Sequence, residues 1–333
     1  MTDLSKGRIL VTGGAGFIGS ALVWALNRRG LANILIADFL GHDEKWKNLA
    51  PLQFADYTEA DDLLVRIETS PHLFTNISVV FHLGACSSTT ETDAAYLIRN
   101  NFEYTKKLAH FALEGGRRFV YASSAATYGG LEATLPETVS LASLRPLNMY
   151  AYSKHLFDSY ADRTGILPSI TGLKYFNIFG PNEDHKGEMR SVVNKAFHQI
   201  QDTGRVSLFK SYRPEFPDGA QRRDFMYVKD AVEATIFLAE HVNGEGLFNI
   251  GSGEATTWLS LVEALFTALD REPSIEFIDM PEPIRDKYQY YTCANIAKLR
   301  SAGFTQAVTP LPDAVRDYVQ NYLLPARKLG DEQ

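Results

Sequence analysis

Cysteine is scarce in this chain. Only Cys86 and Cys293 occur among 333 residues, and they lie far apart. Two such residues cannot build a disulfide scaffold, and their spacing lacks the pattern of a zinc site, so no metal is expected. Blocks of one charge sign are missing too. The 33 basic and 40 acidic side chains are interspersed and leave a net charge of −7. That balance excludes the basic stripe of a nucleic-acid binder. No apolar run approaches the roughly 20 residues of a membrane span. The first residues are polar and carry no secretory signal, so a cytoplasmic protein is expected. Repeats and low-complexity linkers are also lacking.

Short apolar runs alternate with helical periodicity. Strands are expected over residues 8–11, 33–37, 78–83, 118–122 and 169–175, and helices over 17–29, 94–114 and 150–164. Alternation of this kind predicts an α/β fold with a doubly wound parallel sheet. Beyond residue 177 the alternation loosens. Residues 210–223 read as a loop rich in Pro, Gly and charge, followed by a strand over 224–228, a helix over 229–241 and a strand over 247–250.

The first strand runs into Gly13-Gly14-Ala15-Gly16-Phe17-Ile18-Gly19 and then into a helix. Gly13 and Gly16 would let the backbone turn and approach a pyrophosphate, and Gly19 would let helix and strand pack closely. The spacing Gly-x-x-Gly-x-x-Gly is typical of the short-chain dehydrogenase/reductase superfamily. Asp38 closes the second strand, where an acid would bind the adenosine ribose and favour NAD. Lys45 follows shortly and could accept the extra phosphate of NADP. The expected architecture is a Rossmann domain over residues 1–176, rejoined by a segment near 224–250. A smaller, partly discontinuous substrate domain would occupy mainly 177–330.

Tyr150 and Lys154 share one face of the helix expected over 150–164. A lysine ammonium beside a phenol favours the phenolate and moves it toward base strength near neutrality. Ser124, in Ser123-Ser124-Ala125-Ala126-Thr127-Tyr128, follows a strand and could orient a reacting oxygen toward that phenol. Ser123 is the alternative. A solvated helix face and a plain serine turn are the rival readings of each piece alone. Their order behind a dinucleotide loop favours hydride-transfer chemistry.

Longer segments carry a more specific resemblance. They include His-Leu-Gly-Ala-Cys-Ser-Ser-Thr-Thr-Glu at 82–91, Tyr-Phe-Asn-Ile-Phe-Gly-Pro at 175–181 and His185-Lys186-Gly187. Arg223-Asp224-Phe225 and Arg285-Asp286-Lys287-Tyr288-Gln289 extend it. With the Ser124 and Tyr150 runs, they make the chain similar to the ADP-L-glycero-D-manno-heptose 6-epimerase family of extended short-chain dehydrogenase/reductases.

The resemblance implies an isomerase that inverts C6″ of an ADP-heptose destined for lipopolysaccharide core. Its cofactor would be tightly held NADP, with NAD as the alternative, and the enzyme a homo-oligomer, a pentamer. That carbon is not acidic, so transient oxidation must replace deprotonation. The hydroxyl points in opposite directions in the two epimers, so two acid/base residues are needed. The resemblance assigns these to Tyr150 and Lys186. It places Phe17, Ile18, Asp38, Leu83, Gly84, Ala85, Cys86, Ser87, Asn100, Lys154, Ile178 and Lys186 at cofactor positions. Phe39 and Lys45 stand at the adenosine end. Ser87, Asn177, Phe209, Lys210, Ser211, Tyr212, Arg223 and Tyr288 match substrate positions.

The chain also departs from that pattern. Phe39 stands where Asn is frequent, and Ala60 where a second lysine is expected. Both changes remove polar contacts and admit NAD. Glu188 replaces a small serine at a substrate position beside Lys186, where a carboxylate could pair with that lysine. Lys195 replaces a substrate-contacting histidine, and the loop over 212–220 is longer than usual. Rival readings are a UDP-sugar 4-epimerase, a dehydratase (disfavoured because Ser124-Ala125-Ala126 lacks an Asp-Glu pair), and a noncatalytic nucleotide-binding regulator.

Overall fold

The computed structural model describes residues 2–242, 244–285 and 288–331. Seven strands form one parallel sheet: β1 (Arg8–Thr12), β2 (Ile34–Asp38), β3 (Asp56–Glu59), β4 (Ile77–His82), β5 (Arg118–Ser124), β6 (Thr171–Tyr175) and β7 (Gly246–Ile250). Their spatial order is 3-2-1-4-5-6-7. The direction of winding reverses between β1 and β4, which opens a crevice at the carboxyl ends of the strands. The expected doubly wound Rossmann sheet is therefore present.

Strand periodicity divides the core. Ile9, Val11, Ile34, Ile36, Val79 and Phe81 face one side and pack with Ala21, Leu22 and Ala25 of the Phe17–Asn27 helix and Val232 and Ile236 of the Val228–His241 helix. The alternate residues Leu10, Leu35, Val80, Phe119 and Tyr121 face the other side. There they meet Leu108 and Ala112 of the Tyr104–Glu114 helix and Phe157 and Ala161 of the Met149–Arg163 helix. Successive side chains point to opposite faces of a strand, so a strand buried on both faces is apolar throughout.

The helix expected over 94–114 is one continuous rod with a flaw. It runs through Ala94–Leu97, a π-helical turn over Ile98–Glu103, and Tyr104–Glu114. β3 and the Ala60–Thr69 helix were not anticipated. Asp56-Tyr57-Thr58-Glu59 is an edge strand with only Thr58 buried, so it lacks the apolar run that marks its neighbours.

After β6 the chain forms smaller sheets. Asn177–Phe179 pairs in parallel with Arg222–Tyr227, which pairs antiparallel with Ala255–Thr257. Val206–Phe209 pairs with Ile275–Ile278. The strand expected over 224–228 thus begins two residues earlier, at the expense of the expected loop. Helices Val192–Thr203 and Trp258–Ala268 place Phe197, Leu261 and Leu265 in the same core as β1 and β2. This shared core holds the later elements over the crevice.

Candidate active site

The glycine loop is built against backbone. Gly13 has φ +71°, and a Cβ there would stand 2.5 Å from the amide nitrogen of Gly84. A Cβ on Gly19 would meet the Gly13 carbonyl oxygen at 2.0 Å. No side chain caps the Phe17–Asn27 helix, whose N-cap is Gly16. Its first N–H groups are thus left for a ligand, with the positive end of the helix dipole behind them. These features fit the pyrophosphate of a dinucleotide.

Asp38 ends β2 with every carboxylate oxygen engaged. One oxygen accepts from Ala15 N at 2.8 Å; the other accepts from Phe39 N at 2.7 Å and Lys45 Nζ at 3.0 Å. The Asp38–Lys45 ion pair is largely buried. Both residues wall a cavity of about 180 Å³ together with Phe39, Ala60, Cys86 and Asn100. The shape and the acid at the strand end suit an adenosine.

Next to it lies a cavity of about 690 Å³. Its walls bring together Gly13, Gly16, Phe17, Ile18, Gly19, Leu83, Gly84, Ala85, Cys86, Ser87, Ser124, Tyr150, Lys154, Asn177, Ile178 and Lys186. Those residues come from the ends of β1, β4 and β5, two helices, the strand Asn177–Phe179 and the loop after it. Each was singled out by sequence.

Ser124 caps the short turn Ala125–Tyr128, its hydroxyl accepting from Ala126 N at 3.1 Å. Ser123 also lines the cavity but donates to the buried Asp158 Oδ2 at 2.8 Å, which leaves Ser124 as the freer hydroxyl. Asn148 caps the Met149–Arg163 helix by accepting from Ala151 N and so sets Tyr150 at its start. Lys154 donates to Ala122 O at 2.8 Å. Burial lowers its pKa to about 8, against the opposing pull of Asp158. Burial also raises the Tyr150 phenol, an effect that the Ser124 hydroxyl partly offsets. This differs from the expected depression of the phenol by Lys154. The lysine's charge is engaged with a backbone carbonyl, and desolvation outweighs what reaches the phenol.

Lys186 lies on the turn Asp184–Met189, its ammonium 5.1 Å from the centre of the Phe17 ring. Burial lowers its pKa and Glu183 works against that. Glu183 is itself fully buried and accepts from Ser191 N, Ser191 Oγ and Tyr318 OH. The acid facing Lys186 is therefore Glu183. Glu188 is exposed, and its backbone oxygen accepts from Lys195 Nζ at 3.2 Å. Neither Glu188 nor Lys195 lines the cavity.

The remaining substrate candidates form a neighbouring cluster. The Arg223 guanidinium carbon lies 5.3 Å from the Tyr288 ring centre and 6.0 Å from that of Trp258. Tyr288 meets Phe209 edge-on at 6.5 Å, and Tyr212 N donates to Tyr290 OH at 2.9 Å. Lys210 pairs with Asp279 at the surface, and Ser211 N donates to Asp218. Trp258 and Phe225 connect this cluster to the large cavity, which both line. Asp286 and Lys287 of the quoted 285–289 match lie outside the described residues.

Several contributors escaped the sequence reading. Asn101 is fully buried in the π turn. It accepts from Cys86 N and donates to Cys86 O and to Ser153 Oγ, each at 2.9 Å. It thereby ties the Cys86 loop to the first turns of the helix that carries Tyr150. Trp258 and Arg190 also line the cavity. An apolar-rich helix start gave no hint of Trp258. Among the described residues no cluster of His, Cys, Asp and Glu could hold a metal, and no helix is long and apolar enough to cross a membrane.

The model of the NAD dependent epimerase/dehydratase family matches residues 9–251. The chain belongs to this family. An ADP-L-glycero-D-manno-heptose-6-epimerase of Nitratidesulfovibrio vulgaris strain Hildenborough is 49% identical over 318 residues, covering 95% of this chain and 98% of its own. The protein of that name from Fusobacterium nucleatum is 45% identical, again over 95% and 98% of the two chains. Among solved structures, the Helicobacter pylori ADP-L-glycero-D-manno-heptose-6-epimerase superposes with TM-score 0.81 at 25% identity, covering 96% and 98% of the chains. As an NAD-dependent epimerase/dehydratase, the chain is an isomerase that works on a nucleotide sugar with a nicotinamide cofactor.

Proposed function

We propose that this protein interconverts ADP-D-glycero-D-manno-heptose and ADP-L-glycero-D-manno-heptose, with Tyr150 and Lys186 as its two acid/base groups. The observation that carries the assignment of roles is that both line one cavity from different elements, with Ser124 and Lys154 beside them. The near full-length identity of 43–49% to epimerases of that name supports the reaction.

A nicotinamide held by the glycine loop and Lys154 would supply a reversible hydride acceptor, taking hydride from C6″ and giving the same hydride back to the other face of the carbonyl. Ser124 holds the C6″ oxygen. One of Tyr150 and Lys186 takes the hydroxyl proton as the carbonyl forms. Because the exocyclic carbonyl can present either face, the other residue returns a proton to the oxygen on the opposite side. Burial lowers the pKa of Lys186 and so moves its amine toward proton acceptance, with Glu183 acting against it. Residues 1–176 and 224–250 would serve the cofactor and the rest mainly the substrate. We take the enzyme to be a cytoplasmic homo-oligomer, a pentamer, which sedimentation velocity would count.

For the cofactor we propose NADP, with NAD also accepted. The Asp38–Lys45 ion pair supports this. Lys45 can turn to a 2′-phosphate, and Asp38 can accept from a ribose diol. Proton NMR of the D-glycero substrate with purified protein in D₂O, without added cofactor, tests the reaction. Conversion without deuterium at C6″ is expected. No conversion, with turnover of a UDP-sugar instead, would overturn the heptose assignment.

A further inference from the structure

One buried side chain holds together the glycine loop and the loop that carries Lys186. Asn48 is 2% exposed and lines neither of the two cavities. Its amide nitrogen donates to Ala15 O at 3.0 Å, to Asn182 O at 3.1 Å and to His185 Nδ1 at 3.3 Å. All three partners are acceptors, which fixes the orientation of the amide. Burial lowers the His185 pKa to about 4, so at neutral pH its ring is uncharged and Nδ1 can accept.

A short turn brings Asn48 to this place. Asp43 caps the 3₁₀ turn Glu44–Asn48 by accepting from Lys45 N at 2.8 Å. Residues three apart eclipse one another in such a turn, so Lys45 and Asn48 share a side. Lys45 donates to Asp38, Asp38 accepts from Ala15 N, and Asn48 holds Ala15 O. The acid at the end of β2, the glycine loop and the turn thus close into one ring of contacts. On the other side of Asn48 stands Asn182, the root of the Lys186 loop. Its φ of +76° lies in the left-handed region, which Asn tolerates. Its side chain donates to Ser20 Oγ and accepts from Leu329 N, each at 3.0 Å. Asn48 joins this fixed root to His185, the residue before Lys186. The Lys186 ammonium then lies over the ring of Phe17, the first residue of the helix after the glycine loop.

We propose that Asn48 is a positioning residue, which pins the loop bearing Lys186 to the glycine loop and so sets that amine against the dinucleotide cradle. This rests on the two-base reading above. Asn48 faces no cavity and acts through Lys186. A buried amide that served the fold alone would have no need of these partners. Its acceptors belong instead to the two loops whose residues Gly13, Gly16, His185 and Lys186 wall the large cavity.

Asn48→Leu keeps most of the side-chain volume and removes the donor, and Asn48→Ala removes both. Turnover of ADP-heptose is measured with cofactor saturating and below the Tm of each variant. Each is expected to lower kcat roughly 10–100-fold with KM within about threefold, the scale of a reacting group displaced by about 1 Å. In a Lys186→Met background the same changes should cost less than about twofold more, because the group they place is gone. Hydrogen exchange over residues 182–190 should quicken in both variants, while that of the central sheet stays as in wild type. A purely structural amide would lower Tm and leave kcat unchanged, or lower kcat equally in both backgrounds. Either result, or unchanged exchange over 182–190, would overturn the proposal while Lys186 remains essential. If wild type does not turn over ADP-heptose, or Lys186→Met keeps full activity, the reading above fails and takes this proposal with it.

Discussion

Lys154 Nζ donates to the carbonyl oxygen of Ala122 at 2.8 Å, joining the Met149–Arg163 helix to the carboxyl end of β5. The bond fixes the lysine beside Ser124 and Tyr150. Burial lowers its pKa to about 8, so the ammonium discharges as pH rises through that value. The charged form is the one that helps a phenolate. Activity is therefore expected to fall as pH rises through about 8. Lys154→Arg, which stays charged, should move that alkaline limb upward in a kcat/KM profile. An unmoved limb would assign it to another group.

The same lysine leaves a mark on stability. Its folded pKa lies below the ordinary value of 10.5. Its contribution is thus present above about 10.5 and lost as pH falls through about 8. Denaturant unfolding of wild type, relative to Lys154→Met, should show wild type gaining stability between those limits.

Tyr150→Phe and Lys186→Met are each expected to lower kcat by about 10²–10⁴-fold, the usual worth of a placed proton-transfer group. Cofactor should remain bound in Tyr150→Phe, detectable by absorbance after denaturation. If the two-base scheme holds, either variant keeps hydride exchange within one epimer while losing inversion. Full activity in Lys186→Met would end that scheme.

The Asp38–Lys45 pair predicts opposite shifts in cofactor preference. Lys45→Ala removes the cation that would meet a 2′-phosphate and should turn the NADP/NAD affinity ratio toward NAD by roughly tenfold or more. Asp38→Ala should turn it toward NADP. Equilibrium titration of stripped protein measures both ratios.

Lys174 and Asp158 form an ion pair that is 1% and 0% exposed at 2.8 Å. Asp158 also accepts from Tyr121 OH and Ser123 Oγ, and Lys174 donates to Thr127 Oγ1. Lys174→Met leaves a buried carboxylate without its ion partner and should cost about 3–5 kcal/mol in denaturant unfolding. The double variant Lys174→Met/Asp158→Asn should recover part of that loss.

The sequence made the cofactor half of the site legible because that half is built from backbone. A tight glycine turn and an acid at a strand end impose residue types at short, fixed spacing. Ser124, Tyr150 and Lys154 were readable for a related reason, since one strand end and one helix start present all three. β3 was not, because an edge strand of Asp, Tyr, Thr and Glu buries only Thr58 and so shows no periodicity. Asn101 and Glu183 were missed because their partners are distant in sequence. Asn101 works through a π turn that rotates it away from its neighbour Asn100, and Glu183 reaches Tyr318. Adjacency suggests that Glu188 could pair with Lys186, whereas the fold leaves Glu188 exposed and turns Glu183 inward.

The seventh strand of the sheet has a consequence for how the protein is made. β6 ends at Tyr175, but its outer neighbour β7 ends only at Ile250. A ribosome therefore releases a sheet with one open flank and must add 75 further residues before the flank closes. During that interval the free amides and carbonyls of Thr171–Tyr175 can recruit any extended segment nearby. Until then that flank is the sheet's exposed pairing edge, and slower synthesis lengthens the time it stays open.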